Sequence, residues 1–195
     1  QPTIRLELIT KLNGVKHEHA HDALSDVYAT SAVARLIREK QPKLFEYLYQ
    51  MRGKREVQKL VNLEAPKPFV YASGRYANEF NKTTVVMPIA PGRNGNVLVY
   101  DLRYDLEKIL DGVCPNSFSE DTLKAARPSL RSSKKGFRPP VQKIFPIVKE
   151  LCYNKCPAVA PLSVLDVDDG WEKIGLDAET VKKNLDVLLK HPEFA

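Results

Sequence analysis

The sequence predicts an α+β protein: a helical segment followed by a small barrel or curled sheet that carries helical insertions. Two observations carry this. From residue 4 to residue 60 the apolar residues recur at three- and four-residue steps, and from Ala65-Pro66 onward the texture changes to short β-branched and aromatic runs bounded by Gly, Pro and Asn. A hydrophobic content of 43% supplies a core, and 28% charged residues suit a water-facing surface.

Residues 4–12 (IRLELITKL) form a short helix stopped by Asn13-Gly14. The next helix runs from about Asp22 to Glu39 and ends at Gln41-Pro42, where the proline disfavours helix in the residue before it. Leu24, Val27, Tyr28, Ala32 and Leu36 make one apolar stripe along it, and Ala29, Val33 and Ile37 make a second, in line with Asp26. KLFEYLYQM and KREVQKLVNL read as two further short helices. PFVYAS (68–73), TTVVMPIA (83–90) and NVLVYDL (96–102) read as strands, the last two joined into a hairpin by PGRNGN. KIFPIV and LCYNKCPAVA are later strand candidates, with short helices at 105–111 and 119–125 and a closing helix over 178–190. The domain boundary is placed near Gln41-Pro42, dividing the chain into 1–41 and 42–195, with the two short helices after it able to belong to either side.

The charge of +6 and pI near 9.1 make a polyanion a plausible partner. The stretch 124–143 (KAARPSLRSSKKGFRPPVQK) concentrates basic residues without a single acid and reads as a loop suited to phosphate-backbone contact, or equally as a solvated loop. Residues 166–179 are acidic, with Asp166, Asp168, Asp169, Glu172, Asp177 and Glu179, and should face away from nucleic acid. Three cysteines, Cys114, Cys152 and Cys156, do not make a disulfide framework. No run of 18 apolar residues crosses a membrane, and the N-terminal residues lack a signal peptide's apolar core, so a cytoplasmic protein is expected.

The chemistry centres on HEHAHDALSD, residues 17–26. Alternate histidines converge on a metal only in a strand, and these precede a helix, so a zinc site at His17, His19 and His21 is not expected. His21 and Asp26 would lie about 140° apart on a continuous helix. They can share a site only if His21 sits in the loop before the helix, with Asp22 as its N-cap. An aspartate in line with an apolar stripe invites a cationic partner, while the same two residues also suit a helix-capping acid beside a surface histidine.

The pattern His21-x-Ala23-x-x-Asp26 resembles the third motif of the proofreading-type 3′–5′ exonucleases, the class with four acids and a histidine. The longer stretch HAHDALSDVYATSAVARLIREKQPKLFEYLYQMR closely resembles the bacterial exodeoxyribonuclease I family, and KPFVYASGRY, NVLVYDL and NKCPAVAP look like that family's barrel domain. The resemblance implies the helical tail of a ribonuclease-H-like nuclease domain followed by an SH3-like β-barrel domain. It implies a monomeric 3′–5′ exonuclease that releases 5′-mononucleotides from single-stranded DNA with two Mg²⁺ ions. In it Asp26 would ligate metal and His21 would act as general base. Lys67, Arg93, Asn94 and Asn96 would contact DNA, Tyr76 would stack on a base, and Tyr47 would line the apolar part of a pocket for the C-terminal tail of single-stranded-DNA-binding protein. The basic part of that pocket is in doubt, because no arginine follows Arg138. The family also needs an Asp-x-Glu pair and a further aspartate before the histidine, and no aspartate precedes His21. Asp105 and Glu107 come after the histidine, in a predicted helix, and do not replace them. The chain therefore reads as a middle fragment, inactive alone; the alternative is a non-catalytic single-stranded-DNA-binding or protein-docking module.

Overall fold

A computed structural model describes residues 5–17, 21–110 and 147–191. The chain divides into two compact units, Gln1–Arg52 and Gly53–Ala195. The expected boundary at Gln41-Pro42 thus falls inside the first unit, where it separates two consecutive helices.

The first unit holds three helices. Helix α1 (Leu6–Leu12) ends at Asn13, whose side chain donates to the Ile9 carbonyl, and Gly14 follows in the left-handed region at φ 66°. Helix α2 (Ala23–Lys40) is capped by Asp22, whose carboxylate accepts from the Ser25 amide at 2.9 Å. Gln41 ends it because Pro42 opens helix α3 (Pro42–Gln50) at its first turn, where a missing N–H costs nothing. Of the two apolar stripes on α2, the one through Ala29 turns inward: Ala29 is fully buried, and Val33 is half-buried. In the other stripe Leu24, Val27 and Tyr28 are exposed and Ala32 and Leu36 are half-buried, while Ile37 at the far end of the first stripe is exposed. The reason is tertiary, since within this unit α1 is joined to α2 on the Asp26 side.

The second unit opens with helix α4 (Lys54–Leu60), which buries Val57 against the sheet's far end, where the Tyr153 hydroxyl donates to the Val61 carbonyl at 3.1 Å. Five strands follow: β1 (Phe69–Ala72), β2 (Thr83–Pro91), β3 (Val97–Asp101), β4 (Val148–Leu151) and β5 (Ala158–Pro161). They form one antiparallel sheet in the order β4-β3-β2-β1-β5. The β2–β3 hairpin turns through a 3-10 turn at Arg93–Gly95, as the Asn/Gly cluster predicts. Its register slips between Pro88 and Ala90, a bulge that suits a proline unable to donate to the ladder. The candidate strand LCYNKCPAVA is broken: a 3-10 turn at Tyr153–Lys155 and a left-handed Cys156 (φ 44°) end β4 and start β5 anew. KIFPIV lies largely outside the described residues, and β4 begins at its last residue, Val148. The helix expected at 119–125 and the basic stretch 124–143 also lie outside them.

The sheet is buried on both faces. On one, Val70, Val85, Met87, Tyr100 and Leu102 meet Leu106 and Ile109 of helix α5 (Leu106–Leu110). The residues of opposite pleat, Phe69, Val86, Val97, Val99, Leu151 and Val159, are buried on the other. The core on the first face is completed by Leu165, Ile174 and Leu176 around the one-turn helix α6 (Gly170–Lys173), and by Val181, Val187 and Leu188 of helix α7 (Ala178–Leu189). Gly170 is required here, since a Cβ would come within 2.7 Å of the Leu165 Cα. Asn184, buried on α7, donates to the Leu102 carbonyl at 2.8 Å and ties the closing helix to the end of β3.

Candidate functional site

Two groups of residues bear on function, one in each unit. In the first unit, Asp22 caps α2 and so places Asp26 on its first turn, while His21 stands just outside the helix in the left-handed region at φ 74°. The His21 amide points back at the Asp26 Oδ1, 3.4 Å away. Its imidazole is exposed, with Nε2 3.9 Å from Glu7 Oε1 on α1. His21 also borders an open groove of about 740 Å³ along α1, lined by Arg5, Leu6, Glu7, Leu8 and Lys11.

The side chain that binds Asp26 is His17. Its Nε2 donates to Asp26 Oδ1 at 2.7 Å, and the ring is only 3% exposed. His17, to which the sequence assigned no role of its own, is therefore engaged: the segment after Gly14 folds its imidazole between α1 and α2. The other ring nitrogen lies 3.4 Å from the hydroxyl of Thr10, which is buried and bonded back to the Leu6 and Glu7 carbonyls at 2.9 and 3.0 Å. The hydrogen bond from His17 holds the Asp26 carboxyl below its ordinary range, so it is ionised at neutral pH. Both donors address Oδ1, and Oδ2 has no hydrogen-bond partner among the described residues.

This arrangement suits a metal-binding carboxylate, one oxygen fixed by a neighbour and the other left to an ion. It supplies one ligand and not a complete site. Among the described residues, no group of three or more His, Cys, Asp or Glu could hold a metal ion.

In the second unit the predicted DNA contacts separate. Lys67 is exposed just before β1, and Arg93 and Asn94 are exposed at the tip of the β2–β3 turn, Asn94 with φ 52°. The Asn96 amide is engaged inside the fold: it donates to Glu150 Oε1 at 3.1 Å, and the same oxygen accepts from the Arg93 backbone at 2.8 Å. Tyr76 corrects the expectation of a stacking ring. It is 4% exposed, packed edge-to-face on Tyr71 at 5.7 Å, with Lys149 Nζ 4.4 Å from its ring centroid. The turn that brings the Tyr76 amide to the Ser73 carbonyl at 3.0 Å folds the ring inward. Its hydroxyl is buried without a partner among the described residues, and burial raises its pKa.

Two charged side chains are buried near it. Lys149 donates to Ser73 Oγ and lies over the Tyr71 and Tyr76 rings; burial lowers its pKa to about 8. Asp101 accepts from the Thr84 hydroxyl at 2.6 Å and the Arg103 amide at 3.0 Å, and burial raises its pKa to about 6. The guanidinium of Arg103 stacks 3.6 Å over Phe80 and donates to the Ile174 and Gly175 carbonyls, both at 2.8 Å. Tyr47 is half-buried on α3, and burial raises the pKa of its hydroxyl.

Of the acidic segment, Asp166 accepts from Trp171 Nε1 at 3.0 Å and Asp177 caps α7 through the Thr180 amide at 2.7 Å. No helix among the described residues is long and apolar enough to cross a membrane.

Residues 52–195 match the Exonuclease I SH3-like domain. The exodeoxyribonuclease I of Haemophilus influenzae is 38% identical over 188 residues, which are 94% of this chain and 37% of that protein. The zinc-ion-bound form of an Escherichia coli exonuclease I–single-stranded DNA complex superposes with a TM-score of 0.76 at 32% identity, covering 99% of this chain and 39% of the other. A complex of exonuclease I with the C-terminal peptide SSB-Ct gives 0.73 at 33% identity, with the same coverage. The chain thus spans less than two-fifths of the length of these relatives, and its fold is α+β with an SH3-like domain.

Proposed function

Since this chain belongs to the exonuclease I family, we propose that it serves a 3′–5′ exonuclease that removes 5′-mononucleotides from single-stranded DNA. The observation that carries the proposal is the turn at His21–Asp26, where an ionised carboxylate with one open oxygen lies beside an exposed imidazole. A pair of divalent ions, Mg²⁺ in the proposed reaction, would supply Lewis-acid activation of water and charge neutralisation when bound. Asp26 would contribute Oδ2 to such an ion. His21, free of the helix and facing the groove along α1, would take the proton of the attacking water at its imidazole. Burial would cost it this role, because a base must reach the water it deprotonates.

A second reading is favoured by one observation: the described residues contain a single carboxylate ligand and no metal-binding group. On that ground the 195-residue chain by itself is a strand-holding module without nuclease activity. Lys67, Arg93 and Asn94 are its exposed DNA contacts, and Asn96 acts indirectly, by holding the turn through Glu150. The domain division we propose follows the two compact units, with α3 on the nuclease side. Tyr47 remains a candidate for the apolar part of a docking site for the tail of single-stranded-DNA-binding protein, to whose basic part residues 139–195 contribute no arginine.

Fluorescence anisotropy with a labelled oligo-dT at 50 and 200 mM NaCl tests the module. Affinity should fall at least tenfold between the two salts, as phosphate contacts release counterions, and Lys67→Ala with Arg93→Ala should reduce the slope. Binding that is equally tight at both salts would refute the reading.

A further inference from the structure

We propose that His17 is a positioning residue for Asp26, fixing the carboxylate so that Oδ2 is presented to a divalent cation. The inference rests on the reading of Asp26 as a metal ligand. A carboxylate on the first turn of a helix can rotate about its last torsion. Here two donors meet on the same oxygen: His17 Nε2 at 2.7 Å and the His21 amide at 3.4 Å, both on Oδ1. The second oxygen is thereby the one left for a ligand.

His17 is itself immobilised. Its ring is 3% exposed, and the Thr10 hydroxyl beside Nδ1 is tied to the Leu6 and Glu7 carbonyls of α1. The chain Thr10–His17–Asp26 thus references the carboxylate to the backbone of a second helix. His21, by contrast, is exposed and touches Asp26 only through its amide. The two histidines divide the work: one is buried and orients, the other is exposed and reacts. Hydrogen-bonding partners behind metal ligands commonly contribute tenfold to hundredfold in metal affinity.

The test uses the 195-residue chain and Mn²⁺ as probe. A slowly exchanging Nε2 proton on His17 is expected in ¹H–¹⁵N spectra and should vanish in Asp26→Ala; its absence from the unaltered protein overturns the contact. Millimolar Mn²⁺ should broaden the Asp26 carboxyl carbon in the unaltered protein and in His17→Gln, whose amide can donate from a similar position. The Mn²⁺ concentration needed should rise about tenfold or more in His17→Ala. Melting temperatures of all variants separate this from loss of packing, and His17→Leu replaces His17→Ala if the latter does not fold. Equal broadening in the variant without a donor would overturn the positioning role and leave Asp26 a ligand. No broadening at Asp26 in the unaltered protein would overturn the ligand assignment, and the positioning role with it.

Discussion

Asp101 is a buried carboxyl held away from its ordinary state. Burial lifts its pKa from 3.8 to about 6, even though Thr84 and Arg103 both donate to it. The folded protein therefore holds a proton between pH 4 and 6 that the unfolded chain has released, so this group's contribution to stability falls as pH rises through that window. The cost, up to about 3 kcal/mol, is complete above pH 6. Asp101→Asn keeps an acceptor for both donors and cannot ionise. Its stability relative to the unaltered protein should rise from pH 4 to 6 and then level off; urea denaturation at a series of pH values measures this, and a difference independent of pH would refute it. Lys149 acts in the opposite sense on the alkaline side. Its pKa is held down to about 8, so its contribution recovers as pH climbs from 8 towards 10.5. The residue scale is also where sequence is least informative. His17, His19 and His21 look equivalent on paper; only the packing of α1 against α2 buries the first. Tyr76 reads as a surface ring until the turn at Ser73 folds it onto Tyr71 and Lys149. Asn96 is engaged by Glu150, 54 residues away, a distance no local pattern spans.

Elements were far more legible, because their signals are local. Asn13-Gly14, Asp22 and Gln41-Pro42 are start and stop chemistry that acts within a few residues: α1 ends, α2 starts and ends, and α3 starts where those signals stand. The β2–β3 hairpin was legible for the same reason. The choice between the two stripes of α2 was not, since periodicity shows that a face is apolar without showing which neighbour covers it. Nor was the break between β4 and β5, where Cys156 adopts a left-handed conformation that its residue type does not announce. The cap of α2 matters because it orients the turn bearing Asp26. Asp22→Ala should cost about 1 kcal/mol locally, accelerating amide exchange at Ser25 and Asp26 several-fold, with Asp22→Ser restoring protection. Unchanged exchange in Asp22→Ala would show that the cap contributes nothing.

At the scale of the whole molecule, family and fold agree: among the described residues, the unit matching the Exonuclease I SH3-like domain follows three helices that bear Asp26 and His21. The family was readable because the stretch around Asp26 is long and distinctive, whereas the chemistry it implies needs an Asp-x-Glu pair and a further aspartate, and none of residues 1–20 is aspartate. We propose that the chain by itself holds single-stranded DNA and supplies one metal ligand, Asp26, without cutting the strand. The most direct measurement is electrophoresis of a 5′-labelled single strand after incubation with the 195-residue chain and Mg²⁺. The strand should keep its full length. Progressive shortening from the 3′ end that disappears in Asp26→Ala would contradict the proposal.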